Sequence, residues 1–100
     1  MALHQRRKIV ATIGEDQPLS PVSVTPSWCI VQALRDNTGY IAVGERGVRA
    51  TDGEQNSILL AVPSGTPSQP NYFDASGLDL ADVWIDATVA GEGVAVLWAD

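Results

Sequence analysis

Turn-forming residues recur along this chain at intervals of about eight to twelve positions, the spacing typical of short strands. Glycine, proline, asparagine and aspartate favour turns because their backbones or side chains suit tight reversals. Clusters of them lie at residues 14–18, 26–27, 36–39, 44–47, 52–53, 63–65 and 90–93. The segments between them predict strands, at residues 8–13, 22–25, 28–34, 40–43, 48–50, 57–62, 83–88 and 94–98. None of these segments has a sustained helical period, so the sequence predicts an all-β sandwich or barrel.

The size and composition of the chain fit one such domain. It has 100 residues, of which 45% are hydrophobic, enough to bury a core without disulfides. We predict a single-domain antiparallel β-sandwich or barrel, jelly-roll-like, over residues 9–100. A short, basic and flexible N-terminal arm is expected at residues 1–8.

The last two predicted strands are the most regular part of the pattern. Two apolar-rich runs, at residues 78–88 and 94–98, flank a turn bounded by Gly91 and Gly93, which predicts an antiparallel hairpin. In the first run Val83, Ile85 and Ala87 share one face and should point to the core, while Trp84, Asp86 and Thr88 share the other. The second run is apolar on both faces, so it should be a central or covered strand, and its outer face suits an interface.

Residues 64–74 break the alternating pattern. They contain two prolines, a glycine and the adjacent aromatics Tyr72 and Phe73, which predicts a long loop. Tyr72 and Phe73 either pin this loop to its own core or bind a partner.

Charge is distributed unevenly. Residues 1–14 hold three basic residues and no acid, so their charge is +3. Residues 15–100 hold three basic and twelve acidic residues, a charge of −9, and the two parts sum to the net charge of −6. A body this acidic repels phosphate backbones, so we expect no nucleic-acid binding. The basic residues Arg6, Arg7 and Lys8 either contact an acidic protein surface or lie in solvent.

The apolar runs are too short for a membrane span. None reaches about 18 residues, so we expect no membrane insertion. The stretch after Lys8 is also too short for a secretory signal, which predicts synthesis in the cytosol without export by that route.

Catalytic and metal-binding patterns are sparse. The chain has a single cysteine, Cys29, within an apolar run typical of a buried thiol, and a single histidine, His4, within the predicted arm. We therefore expect no enzyme, no cofactor and no metal site. Four aspartates between residues 74 and 86 lack a calcium-loop spacing and are interpreted as solvated or strand-edge charges, with an interfacial ion or a salt bridge to a neighbouring subunit as the alternative. They are Asp74, Asp79, Asp82 and Asp86.

Several motifs together resemble a known protein group. They are WCIVQAL at residues 28–34, NTGYIAVG at 37–44, GV at 47–48, LDLADVWIDA at 78–87 and GEGVAVL at 91–97. This order is similar to that of small structural proteins of tailed bacteriophages, in which an NTG turn leads into a VYVG-like strand and an LDLSDIYVDA-like strand precedes a GDGVSVLY-like one. Three tryptophans and the proline-rich loop after Val62 depart from that pattern.

The resemblance implies a non-enzymatic, all-β virion component, most simply a capsid decoration or cement protein that binds the outer capsid surface and stabilises the shell. The implied partner is the major capsid protein, with self-association as a trimer or other symmetric oligomer. The protein would be made in the host cytoplasm and end on the virion. We predict that Arg6, Arg7, Lys8, Tyr72 and Phe73 bind the partner. The alternatives are a tail, neck or fibre-associated component, or a carbohydrate-binding module that uses Trp84 or Tyr40.

Overall fold

The computed structural model describes residues 2–51, 58–60 and 71–100, and within these it contains eight strands. They are β1 (Leu3–Val10), β2 (Gln17–Pro18), β3 (Trp28–Ala33), β4 (Ile41–Gly44), β5 (Ile58–Leu60), β6 (Tyr72–Asp74), β7 (Trp84–Ala87) and β8 (Glu92–Ala99).

The strands form two antiparallel sheets packed face to face. The first sheet has the order β1-β8-β3-β6 and the second the order β2-β7-β4-β5. Interleaving of the early and late strands in this order is the strand arrangement of a jelly roll. The predicted fold class, a single-domain β-sandwich, is confirmed.

The predicted C-terminal hairpin is wrong. β7 pairs with β2 and β4 in the second sheet, whereas β8 pairs with β1 and β3 in the first. Both edges of β8 are therefore occupied, and β7 cannot join it. The turn at Gly91, where φ is +85°, carries the chain from one sheet to the other. The Gly91 N–H donates to the carbonyl of Val10 at 2.8 Å.

The core lies between the sheets and follows the predicted alternation. Val83, Ile85 and Ala87 are buried, as expected for the inner face of β7. On β8 the side chains of Val94 and Val96 point into the core, and the strand is central, as predicted.

The structure does not confirm a flexible arm at residues 1–8. Each residue from Leu3 to Val10 pairs with a residue of β8, so the basic segment is an edge strand of the first sheet. Gly93 makes this possible, because a Cβ at that position would overlap the carbonyl oxygen of Lys8. The pairing of β1 was missed because its polar side chains hide the strand pattern.

Other boundaries also differ from the sequence prediction. Residues 22–25 and 48–50 are irregular, and the second strand lies instead at Gln17–Pro18. Residues 72–74 form β6 against β3, although the sequence predicted a loop there. The rest of that predicted loop, residues 64–70, lies outside the described residues.

Candidate functional site

The outer face of the second sheet is covered by the protein's own loops. Ala42 and Asp86 are opposite one another on this face, pointing away from the core, and both are 0% exposed. The two carboxylate oxygens of Asp86 accept hydrogen bonds from the N–H groups of Gly14, at 3.0 Å, and Ala50, at 2.9 Å. Asp86 therefore ties two separate loops over its sheet, and its interpretation as a solvated or strand-edge charge is wrong.

Further contacts hold the same cover in place. The Asp16 carboxylate accepts from the N–H of Gly47 at 2.7 Å and pairs with the Arg49 guanidinium at 3.2 Å. The Arg46 guanidinium lies 5.6 Å from the centre of the Trp84 ring, within the range of a cation–π contact. Loops around residues 14–16 and 46–50 thus form a third layer, which lies on the outer face of the second sheet.

In the part of the chain that the structure describes, the outer face of the first sheet is open by comparison. Strand register places its side chains in three rows that each cross β1, β8 and β3. The rows are Leu3, Ala99 and Trp28; Gln5, Leu97 and Ile30; and Arg7, Ala95 and Gln32. Trp28 is 42% exposed and Leu3 is 67% exposed, while Ile30 and Leu97 are half-buried. We call this surface the groove face.

The shape of the groove face follows from the side chains of its central strand. Outward positions of β8 carry Gly93, Ala95 and Ala99 around Leu97, so β8 forms a low floor. Longer side chains of the neighbouring strands form the walls of a shallow groove of about 590 Å³, including Arg7 on β1 and Trp28 on β3. An aromatic ring beside an apolar floor, with a few polar groups at the rim, is the usual composition of a binding surface.

The predicted partner-binding residues divide between the two faces of the first sheet. Arg7 lies on the groove face, and Tyr72 lies opposite Gln32 on the same face, 54% exposed. Phe73 instead points inward and packs against the core. The structure thus brings Arg7 and Tyr72 to one surface and leaves Phe73 out of it.

Arg6 and Lys8 occupy the alternate positions of β1, whose side chains point to the opposite side of the strand from Arg7. The Arg6 guanidinium lies 5.9 Å from the centre of the Trp98 ring. His4 stacks on the same indole, with ring centres 5.2 Å apart, and its Nε2 lies 3.0 Å from a carboxylate oxygen of Asp100. His4 therefore belongs to an ordered strand and not to a mobile arm.

Sequence reasoning missed most of the groove face. It noted the apolar outer side of β8, but it did not single out Trp28, Ile30, Gln5 or Gln32. A usable signal was present, because Trp28 and Ile30 alternate with the core residues of β3. The second half of the surface comes from β1, which was not predicted to be a strand over its polar part.

Cys29 is buried on the inner side of β3, as its apolar context predicted. Burial, together with the nearby Asp74 carboxylate, raises the pKa of its thiol to about 11. At neutral pH the thiol is therefore protonated, and the thiolate needed for nucleophilic attack is scarce.

Two of the motifs that carry the phage resemblance contact each other. The buried Asn37 amide donates to the carbonyl of Gly93 at 2.9 Å, and the Glu92 carboxylate accepts from the N–H groups of Thr38, at 2.7 Å, and Gly39, at 2.9 Å. Burial raises the pKa of Glu92, but the hydrogen bonds from Thr38 and Gly39 outweigh it and hold that pKa below its ordinary value. The NTG and GEG motifs thus lock the β3–β4 turn to the start of β8.

Two of the other three aspartates also accept hydrogen bonds from the backbone, and the third, Asp82, is exposed. Asp79 accepts from the Ser23 hydroxyl at 2.6 Å and from the N–H groups of Ala81 and Val24, each at 3.0 Å, and these bonds lower its pKa. The hydroxyl and N–H of Ser76 likewise lower the pKa of Asp74. In residues 2–51, 58–60 and 71–100, no three His, Cys, Asp or Glu side chains are grouped so that they could hold a metal ion.

Comparison of the chain with protein families, with curated proteins and with solved structures finds no match. The part of the chain that the structure describes contains no helix of the length and apolarity needed to cross a bilayer.

Proposed function

We propose that this protein is a structural component of a tailed-phage virion, a decoration or cement protein that docks on the outer capsid surface and stabilises the shell. The observation that carries the proposal is the contrast between the two sheets. Loops tied by Asp16 and Asp86 cover the outer face of the second sheet, whereas the groove face presents Trp28 and Leu3 to solvent. An apolar, aromatic surface of this kind is typical of a docking site.

Two further features support the phage assignment. NTG and GEG, which belong to two of the motifs that carry the resemblance, are in direct contact and hold the β3–β4 turn against the start of β8. The jelly-roll arrangement is also common among viral structural domains, although it hosts other functions, including lectins.

The stabilising effect would arise by mass action. A ligand that binds the assembled shell and not its separate subunits shifts the assembly equilibrium towards the shell, by an amount set by its concentration relative to Kd. A symmetric shell repeats the site, and self-association of the docked protein would add avidity. Trp28 is the expected centre of the contact, since buried aromatics dominate the affinity of many interfaces.

Cosedimentation with mature capsids, and separately with isolated tails, tests the proposal. We expect saturable binding to capsids. Replacement of Trp28 by alanine should weaken binding at least tenfold, as truncation of a central aromatic usually does. Tyr40→Ala is a matched control, because Tyr40 is 43% exposed against 42% for Trp28 and precedes β4 of the other sheet. Binding to tails alone would move the protein to the tail, and binding to neither would refute the virion assignment.

Carbohydrate binding is a second candidate, favoured by the polar residues around Trp28. Gln5 and Gln32 line the groove with that indole, and amide side chains can both donate to and accept from sugar hydroxyls. The predicted glycan-binding aromatics were Trp84 and Tyr40; Trp84 instead lies half-buried near Arg46. Saturable binding of oligosaccharides that Trp28→Ala abolishes, without capsid binding, would favour this candidate.

A further inference from the structure

The groove face has a basic side chain in one wall, on the most basic strand of an acidic protein. Three of the six basic residues lie on β1; Arg7 forms part of the groove wall, whereas Arg6 and Lys8 point to the other side of this edge strand. The acid that strand register places on the same face, Asp74, lies at the opposite edge of the sheet, on β6. At physiological salt the Debye length is about 8 Å, so a ligand in the groove responds mainly to these local charges.

The width of the groove selects an extended occupant. Its walls are β1 and β3, two strand spacings apart, which is about 9.6 Å between backbones. A helix with side chains is about 10–12 Å across and would rest on the rims without reaching Leu97. A single extended chain fits between the walls, and β8, with eight residues, gives a floor of about 26 Å.

A second copy of this protein is a poor partner for the β1 edge that borders the groove. Full antiparallel overlap of Leu3–Val10 with the same strand of another copy would place Arg6 opposite Arg7 twice. Like charges directly opposite on paired strands are destabilising. In such a pair the β1 edge would meet the β1 strand of the second copy, which contains no acidic residue, so the copy's overall negative charge would not offset this repulsion.

We propose that the groove face binds an extended segment of a partner protein in which acidic residues alternate with apolar ones. Alternate side chains of an extended segment point to opposite walls, so the apolar ones would lie against Trp28 and Ile30 of β3, and the carboxylates would bond to the Arg7 guanidinium and the Gln5 amide of β1. This deepens the proposed function, on which it rests, by naming the kind of capsid segment that occupies the docking surface.

Titration with two synthetic peptides, followed by NMR of the ¹⁵N-labelled protein, tests the proposal. The probes are acetyl-(Glu-Leu)₄-amide and acetyl-(Lys-Leu)₄-amide, each eight residues long. Because the protein has a net charge of −6, its overall charge favours the lysine peptide, whereas the groove favours the glutamate peptide. We expect the glutamate peptide to shift the Trp28 indole signal and the β8 amides, and the lysine peptide to leave them unchanged.

Two charge-reversal variants make the result specific. Arg7→Glu should raise the Kd for the glutamate peptide at least tenfold, and Arg46→Glu, the same charge change on the cover of the second sheet, should change it less than twofold. Equal shifts with both peptides, no shift with either, or equal effects of the two variants would overturn the proposal. Shifts caused by oligosaccharides alone would reassign the groove to glycans.

Capsid cosedimentation separates this inference from the proposed function. If both charge variants bind capsids like the unmodified protein, the decoration role stands and the acidic segment is refuted. If the glutamate peptide binds through Arg7 while capsids do not bind at all, the groove's preference stands and the virion assignment fails.

Discussion

Replacing Asp86 by alanine tests how the cover of the second sheet is held. The side chain is 0% exposed, and each of its oxygens accepts one backbone N–H, from Gly14 and from Ala50. A hydrogen bond to a charged group contributes about 1.5–3 kcal/mol net. Two such bonds give about 3–6 kcal/mol, and water reaching the freed N–H groups reduces this, so we expect a loss of about 3 kcal/mol.

Urea unfolding followed by tryptophan fluorescence measures this loss as a lower midpoint with an unchanged slope. Asp82→Ala is the control, because Asp82 is an exposed aspartate four residues away, and its replacement should change the free energy of unfolding by no more than about 0.5 kcal/mol. If Asp86→Ala costs less than about 1 kcal/mol, or no more than Asp82→Ala, the carboxylate does not hold the two loops.

Three other predictions concern the edge strand, acid stability and the thiol. Gly93→Ala should destabilise the fold by about 1–3 kcal/mol and speed hydrogen exchange of the β1 amides, because the new Cβ would meet Lys8; unchanged exchange would contradict the close approach. The folded pKa values of Asp79 and Glu92 lie below their unfolded values, so the stability they add is present above about pH 4 and is lost as pH falls through the folded pKa values. The urea concentration at the unfolding midpoint should therefore decrease as the pH is lowered below about 4, and it should decrease less steeply in Glu92→Gln. An equally steep decrease in that variant would refute the role of Glu92. Cys29 should react with a thiol reagent at neutral pH only as fast as the protein unfolds, so fast labelling of the folded protein would be inconsistent with a buried thiol of pKa about 11.

The parts of the fold that the sequence predicted are those with strong local signals. Alternation in residues 83–88 identified the inner face of β7, and the apolar run at 94–98 identified β8 as a central strand. Strand pairing was not predictable in the same way. The Gly91 turn fits a hairpin locally, and only competition from β1 and β3 for the two edges of β8 excludes it.

The candidate site was predicted only in part, since its residues come from strands far apart in sequence. Arg7 and Tyr72 were chosen for their charge and aromatic character, and both lie on the groove face. Trp28 was noted only as one of three tryptophans that depart from the phage pattern, because its exposure depends on the pairing of β3 with β8. The burial of Asp86 likewise depends on loops that local patterns do not place.

The most direct test of the groove face as the docking surface is hydroxyl-radical footprinting of the protein free and bound to capsids. Oxidation of Trp28 and Tyr40 should be compared, since the two rings are similarly exposed in the free protein, at 42% and 43%. We predict that capsid binding protects Trp28 several-fold and leaves Tyr40 unchanged. Protection of Tyr40 with continued oxidation of Trp28 would place the contact on the other side of the molecule and contradict the proposed docking surface.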